Sequence, residues 1–291
     1  MSSVTFAAAQ FACTWDRAAN IAKAKAMMRR AAEKGAQVVL LPELFETPYF
    51  CQDQLPDHFA LAQPFEGNTL IAEFAALAKE LSVVLPLSFF ERAQRAHFNA
   101  LAMIDADGAI LGRYRKSHIP DGPGYQEKFY FRPGDSGFKV WDTRYGRLGA
   151  AICWDQWFPE AARVMALKGA DALFYPTAIG NEPPPAPPVD SRDQWRRVMQ
   201  GHAAANYLVV VSANRIGVEL GQGGELHFYG SSFIAGPTGE IVAELGRDEE
   251  GFITASFDFA QIAKQRASWG LFRDRRPELY GAILTADGAG D

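Results

Sequence analysis

The sequence predicts an α/β fold with a mixed sheet. Short runs rich in apolar and β-branched residues alternate with stretches of helical period along most of the chain, the pattern of strands covered by helices. A hairpin signal interrupts the alternation at Asp105-Ala106-Asp107-Gly108, so parallel and antiparallel connections are both expected. With 291 residues, 48% of them hydrophobic, the chain can bury a large core. No linker of shifted composition divides it, and residues 1–291 are expected to form one domain.

Taken in order, Val4–Gln10 reads as the first strand, entered directly from Met1-Ser2-Ser3, and residues 17–34 as a helix. Residues 38–42 form the next strand, 68–81 a helix and 83–90 a strand. The hairpin arms are 99–104 and 109–116, joined by an Asp-Gly turn suited to tight reversal. Residues 117–137 lack periodicity and are rich in Gly, Pro and aromatics; so long a loop in a compact domain is usually functional. A buried-strand pattern, Leu148-Gly149-Ala150-Ala151-Ile152, then closes on Cys153. Pro159–Leu167 is a helix opened by its proline and stopped by Gly169, and 171–176 is the following strand. Pro183-Pro184-Pro185-Ala186-Pro187-Pro188 reads as a stiff connector, either surface loop or pocket wall, leading to a helix over 190–206. Strands at 208–213, 231–235, 240–245 and 252–257 follow, with Gly236-Pro237-Thr238-Gly239 as a turn. From Ser268 the pattern breaks into a tail, 268–291, mixing Trp269, Phe272 and Tyr280 with Arg273, Arg275 and Arg276. That composition is typical of interfaces and predicts packing on a second subunit, in a homodimer or a larger homo-oligomer built from dimers.

Composition excludes several classes of function. Net charge is −5 and the arginines are scattered without a basic stripe, so a nucleic-acid partner is not expected. The longest apolar stretches, such as 38–42 and 207–213, fall far short of the roughly 20 residues a membrane helix needs, and neither a span nor a signal peptide is expected. Cys13, Cys51 and Cys153 are odd in number, far apart and without CxxC spacing, which argues against disulfides and structural zinc and for a reducing, cytoplasmic setting. His58, His97, His118, His202 and His227 show no paired spacing; no metal and no cofactor is expected.

Three strand ends carry the chemistry. Glu43 follows the buried run Val38-Val39-Leu40-Leu41-Pro42, Lys116 ends Gly112-Arg113-Tyr114-Arg115-Lys116, and Cys153 ends a third strand, ahead of the helix start at Pro159. Ligands of α/β proteins sit at such rims, and a thiol facing a helix N-terminus is placed to ionise and attack. Taken singly, each has a plain reading: a solvated carboxylate, a surface charge, a small core residue. Together they supply a base, a cation and a nucleophile, which acyl transfer through a thiolate requires. Whether burial raises the carboxylate pKa or the lysine lowers it stays open at this level.

At these residues the chain resembles the nitrilase, or carbon-nitrogen hydrolase, superfamily, from about residue 4 to 257. The matching motifs are Leu41-Pro42-Glu43-Leu44-Phe45, the run ending at Lys116, and Gly149-Ala150-Ala151-Ile152-Cys153-Trp154-Asp155, in the family's order. The resemblance implies a four-layer αββα sandwich whose layers continue across a dimer interface. It implies a triad with Glu43 as general base, Lys116 stabilising the tetrahedral intermediate and Cys153 as nucleophile. A second family glutamate matches Glu127 in Tyr125-Gln126-Glu127-Lys128-Phe129, with the role of orienting Lys116 and substrate. The backbone N–H of Trp154 would complete the oxyanion site with Lys116.

Within the superfamily, residues 116–131 and 201–206 look most like the branch that hydrolyses N-carbamoylputrescine to putrescine, carbon dioxide and ammonia, in polyamine synthesis from arginine by way of agmatine. Such a substrate ends in an ammonium, so its pocket needs an acid and apolar walls. Glu182, after the strand that follows Cys153, is the expected ammonium contact, with Tyr49, Trp154 and Tyr125 as walls. A β-ureidopropionase or N-carbamoyl amino acid amidohydrolase is the alternative; it would need a cation for the substrate carboxylate, for which Arg192, Arg196 or Arg197 is available. A non-catalytic nitrilase-like binding protein is the alternative of a different class. His118 in place of Glu43 as base is the mechanistic rival.

Overall fold

Alternate residues of the first strand face two different cores. Phe6 and Ala8 belong to one apolar cluster, and Ala7 and Ala9 to another, as the period-two geometry of a strand requires when both faces are covered. The computed structural model describes residues 3–181 and 189–289. Its strands are β1 (Val4–Gln10), β2 (Val38–Leu40), β3 (Leu85–Ala93), β4 (Ala96–Ile104), β5 (Ile110–Arg115), β6 (Lys139–Thr143), β7 (Gly146–Ala150), β8 (Ala172–Pro176), β9 (Val209–Ala213), β10 (Ile216–Gly221), β11 (Gly224–Tyr229), β12 (Phe233–Ala235), β13 (Ile241–Glu244) and β14 (Gly251–Phe257). Its α-helices are α1 (Arg17–Glu33), α2 (Thr69–Leu81), α3 (Pro159–Leu167), α4 (Arg192–Asn206) and α5 (Phe259–Trp269).

The first β-layer joins the ladders β14-β1-β2 and β3-β4-β5. A parallel bridge between Val38 and Val84 links them, with Val84 N–H on Gln37 O at 2.8 Å and Val39 N–H on Val84 O at 3.0 Å. The second layer runs β13-β12-β9-β8-β7-β6, parallel through β7, β8 and β9 and antiparallel at its flanks. The two layers pack face to face: Phe6 meets Phe174 edge-on with ring centroids 5.4 Å apart.

Helices cover the outer faces. On α1, capped by the Asp16 side chain on Ala19 N–H at 3.0 Å, the residues Ala24, Met27, Met28 and Ala31 share one face at helical spacing. With Leu70, Ile71, Phe74 and Ala78 of α2 they close over Val39, Leu85 and Leu87. On the other side, Met165 of α3 and Trp195, Met199 and Ala203 of α4 join the cluster holding Leu173, Val209 and Phe233. The result is an αββα sandwich, as the family resemblance implies.

Three elements were not anticipated: β6, the β10–β11 hairpin and α5. The helix α5 carried a signal at each end. Asp258 caps α5 by accepting from Ala260 and Gln261 N–H, and Gly270 ends it at φ +80°. The expected tail therefore starts inside a helix, since Ser268 and Trp269 are its last turn. Beyond it, Leu279, Ile283 and Leu284 are exposed. Among the described residues no helix is long and apolar enough to cross a membrane.

Candidate active site

Pro42 has no N–H, so the β2 ladder cannot continue and the chain turns at residues 43–46. Glu43 thus enters the interior between the layers, its own N–H directed at Thr177 O, 3.4 Å away. Lys116 follows β5 by one residue and keeps the hairpin register through its N–H on Asn99 O at 2.8 Å. Glu127 lies in the long loop on a short 3-10 turn, Glu127–Phe129. All three side chains are fully buried.

The lysine binds both acids. Its Nζ lies 3.0 Å from Glu43 Oε1 and 2.7 and 2.8 Å from the two oxygens of Glu127. Asn99 Nδ2 donates to Glu43 Oε1 at 2.6 Å and reaches Glu127 Oε2 at 3.4 Å, while the Tyr49 hydroxyl donates to Glu127 Oε1 at 2.7 Å. Asn99 was missed in the sequence, although hairpin pairing makes it the neighbour of Lys116. Glu43 Oε2 is buried with no hydrogen-bond partner among the described residues. An acceptor left unpaired in the interior is costly unless a proton donor visits it.

Cys153 sits where the second layer reverses. β7 ends at Ala150, earlier than expected; Ala151 still bonds Phe174 O, Ile152 is extended, and Cys153 then takes φ +41°. That conformation is rare for a residue with a side chain and is held only when its surroundings demand it. Here Asp155, also missed, supplies the demand: its Oδ2 accepts from Ile152 N–H at 3.0 Å and from the Tyr114 hydroxyl at 2.7 Å. A 3-10 turn, Cys153–Trp157, separates the thiol from the start of α3. The thiol is both a core residue and a cavity residue, since Cys153 belongs to the main apolar cluster and lines a cavity of about 330 Å³.

Burial and neighbouring charges act on these groups in opposite directions. Burial first, then the Glu43 carboxylate, push the Cys153 thiol well above its usual range against the pull of Lys116. Burial works against the Lys116 ammonium, but Glu127 and Glu43 outweigh it and hold the lysine charged. Burial raises Glu127 against the opposing influence of Lys116, and burial followed by Glu127 keeps the Tyr49 phenol a proton donor. A thiol that senses the Glu43 charge can ionise by passing its proton to a carboxylate whose second oxygen is unpaired, and an ammonium can stabilise an oxyanion.

Of the expected wall residues, Tyr49, Tyr125 and Trp154 all line the cavity, together with Trp157, Pro120 and Ile179. The Tyr125 hydroxyl accepts from Gly180 N–H at 2.9 Å and donates to Asn181 O at 3.1 Å. Glu182 and the tract from Pro183 to Pro188 lie outside the described residues. The arginines considered for a carboxylate site are absent from the cavity lining: Arg192 binds Ser231 Oγ and Asp193, Arg196 pairs with Glu244, and Arg197 is exposed. His118 is likewise absent from the lining, stacked on Phe158 with centroids 3.6 Å apart and bonded to Asp155. The charged side chains among the described lining residues are Asp121 and Glu127, both acidic.

Comparison with known proteins gives the family. Residues 5–267 match the carbon-nitrogen hydrolase family. The chain is 59% identical over 290 residues to N-carbamoylputrescine amidase of Solanum tuberosum, covering 98% of this chain and 96% of that protein. It is 52% identical over 284 residues to citrullinase of Francisella tularensis, covering 98% and 99%. The crystal structure of a carbon-nitrogen hydrolase from Helicobacter pylori G27 superposes with a TM-score of 0.90 at 40% identity, covering 98% of this chain and 99% of that one. A family match across most of the chain, an αββα sandwich, and a buried acid, lysine and cysteine between its layers agree: this chain belongs to the carbon-nitrogen hydrolase family.

Proposed function

We propose that this enzyme hydrolyses N-carbamoylputrescine to putrescine, carbon dioxide and ammonia through a covalent Cys153 intermediate. Cys153 Sγ attacks the ureido carbonyl as its proton passes to Glu43, and Lys116 with the Trp154 N–H takes the charge that develops on oxygen. Collapse breaks a carbon–nitrogen bond, and the leaving nitrogen recovers the proton from Glu43. Water, deprotonated by Glu43, then attacks the resulting thiocarbamate, and the thiolate leaves and takes the proton back from Glu43. The carbamic acid released splits its remaining carbon–nitrogen bond to give carbon dioxide and the second amine. Glu127 orients Lys116 throughout. No step calls on a cofactor.

The character of the cavity carries the substrate reading. Tyr49, Tyr125, Trp154 and Trp157 provide apolar walls for a four-carbon chain, and the charged groups among its described lining residues are Glu127, paired with Lys116, and Asp121. A distal ammonium is favoured there and a distal carboxylate is repelled. The close relatives named for N-carbamoylputrescine support the same choice. Glu182 remains the proposed ammonium contact from sequence, and Asp121 at the cavity is a described acid that shares that field.

A second reading follows from the citrullinase relative: citrulline also carries a ureido group and an ammonium, but adds a carboxylate. Comparing kcat/KM for N-carbamoylputrescine, citrulline and N-carbamoyl-β-alanine tests the choice. We expect the first to lead by at least about tenfold. Equal turnover of citrulline would transfer the assignment to that substrate, and a lead for N-carbamoyl-β-alanine would overturn the cationic pocket. Protein that turned over none of them and resisted alkylation at Cys153 would point to a binding role.

We further propose that residues 268–291 pack on a second copy of the chain. The exposed Trp269, Leu279, Ile283 and Leu284 support this. Light scattering of the chain truncated after Gly270 should then give a smaller particle than the full chain.

A further inference from the structure

Arg215 and Glu219 form an ion pair inside the protein, with Arg215 fully buried, and the function proposed above gives neither residue a part. Arg215 lies just before β10 and Glu219 within it, at i,i+4, and the pair points at the turn after Glu43. Arg215 Nη2 donates to Glu43 O at 2.7 Å and to Leu44 O at 3.1 Å, and Nη1 donates to Thr47 O at 3.2 Å and to Glu219 Oε1 at 2.8 Å. Glu219 spends its other oxygen on the backbone N–H of Tyr49. The guanidinium also lies over the rings of Tyr49 and Phe228, at 5.9 and 5.4 Å from their centroids.

One ion pair therefore ties down four backbone groups of a single turn, at residues 43, 44, 47 and 49. Both ends of that turn serve the site: Glu43 carries the unpaired Oε2, and Tyr49 holds Glu127 through its hydroxyl. Between them Leu44 is strained, at φ +47°. Left to itself, a leucine there would relax toward negative φ and rotate the Glu43 carbonyl and side chain. A buried ion pair is weak evidence for stability, because desolvation consumes most of the attraction, but it can specify a geometry.

We infer that Arg215 and Glu219 are positioning residues that hold the 43–49 turn in its strained form, and so set the Glu43 carboxylate and the Tyr49–Glu127 contact. This rests on the reading of Glu43 as the base. Removing one charge alone would strand the other, so the test is the neutral pair Arg215→Met/Glu219→Gln, whose glutamine can still accept from Tyr49 N–H. Arg215→Lys serves as the second variant, since its single ammonium can pair with Glu219 but cannot reach all three carbonyls.

Two probes are read: turnover of N-carbamoylputrescine, and the burst of p-nitrophenolate on acylation of Cys153 by p-nitrophenyl acetate. A misplaced base should lower kcat by about a hundredfold with KM within about threefold, and slow the burst in parallel. Folded Arg215→Lys or double variant with kcat and burst within about twofold of the parent overturns the inference. If the parent ignores N-carbamoylputrescine yet shows the burst, and the variants slow it, the substrate assignment falls and the positioning role stands.

Discussion

His118 gives both its backbone N–H and its ring Nδ1 to one oxygen of Asp155, at 2.9 and 2.8 Å. Asp155 lies two residues after Cys153 and His118 two after Lys116, so this carboxylate fastens the Cys153 turn to the strand end that delivers Lys116. Asp155→Ala would strand four buried or half-buried donors and should cost about 3 kcal/mol or more in chemical denaturation. Its turnover should fall about a hundredfold as Cys153 loses its reversal. His118→Asn keeps the backbone bond and should hold kcat within about threefold of the parent. Loss of turnover in a fully stable His118→Asn protein would instead make the histidine the base.

The acidity of Cys153 gives a prediction whose sign runs against intuition. Burial and then Glu43 raise the thiol, and Lys116 lowers it. Glu43→Gln deletes a raising influence, so the midpoint of iodoacetamide alkylation against pH should move down, while burial keeps it above the ordinary thiol value. Lys116→Met should move it up. Turnover should nonetheless drop about 10³-fold in Glu43→Gln, because a more populated thiolate cannot replace proton delivery to the leaving nitrogen. An unchanged midpoint in Glu43→Gln would mean that the carboxylate and the thiol do not sense each other.

Tyr49→Phe isolates one contact. The ring stays in place against Phe228 and Tyr125, the backbone bond to Glu219 is untouched, and only the donor to Glu127 Oε1 is lost. A hydrogen bond to a buried charge is worth about 1.5–3 kcal/mol. We expect a loss of that size in urea unfolding and about a tenfold lower kcat, as Glu127 and the Lys116 it holds gain freedom. Stability unchanged within error would show that water replaces the hydroxyl.

What could be read in the sequence was what lies on strands or immediately after them. The strand ends at Glu43, Lys116 and Cys153 carry motif and periodicity at once, and Glu127 stood out within a loop too long to be idle. Asn99 and Asp155 were hidden because their roles exist only across pairs: Asn99 matters through its hairpin register with Lys116, and Asp155 through a loop 37 residues away. The β10–β11 hairpin offered a glycine-rich turn and alternating apolar residues at Leu220, Leu226 and Phe228, but no motif drew attention to it. Arg215, just before it, resembles any surface arginine until the fold closes over it.

Gly134 is a last case where only the fold reveals the constraint. Its N–H donates to Lys116 O at 2.8 Å, and a Cβ added there would stand 2.1 Å from Arg115 O and 2.8 Å from Lys116 O. Both contacts are backbone, in a strand already paired with β4, so neither can give way cheaply. Gly134→Ala must push the long loop off the strand end, and with it Glu127 away from Lys116. We expect about 1–3 kcal/mol of destabilisation and a kcat loss larger than any rise in KM. Gly122 of the same loop has nothing within 4 Å of the corresponding position. Gly122→Ala should therefore unfold within about 0.5 kcal/mol of the parent. If the two alanine variants unfold alike, the loop is free to slide, and its contact with Lys116 is not what seats Glu127.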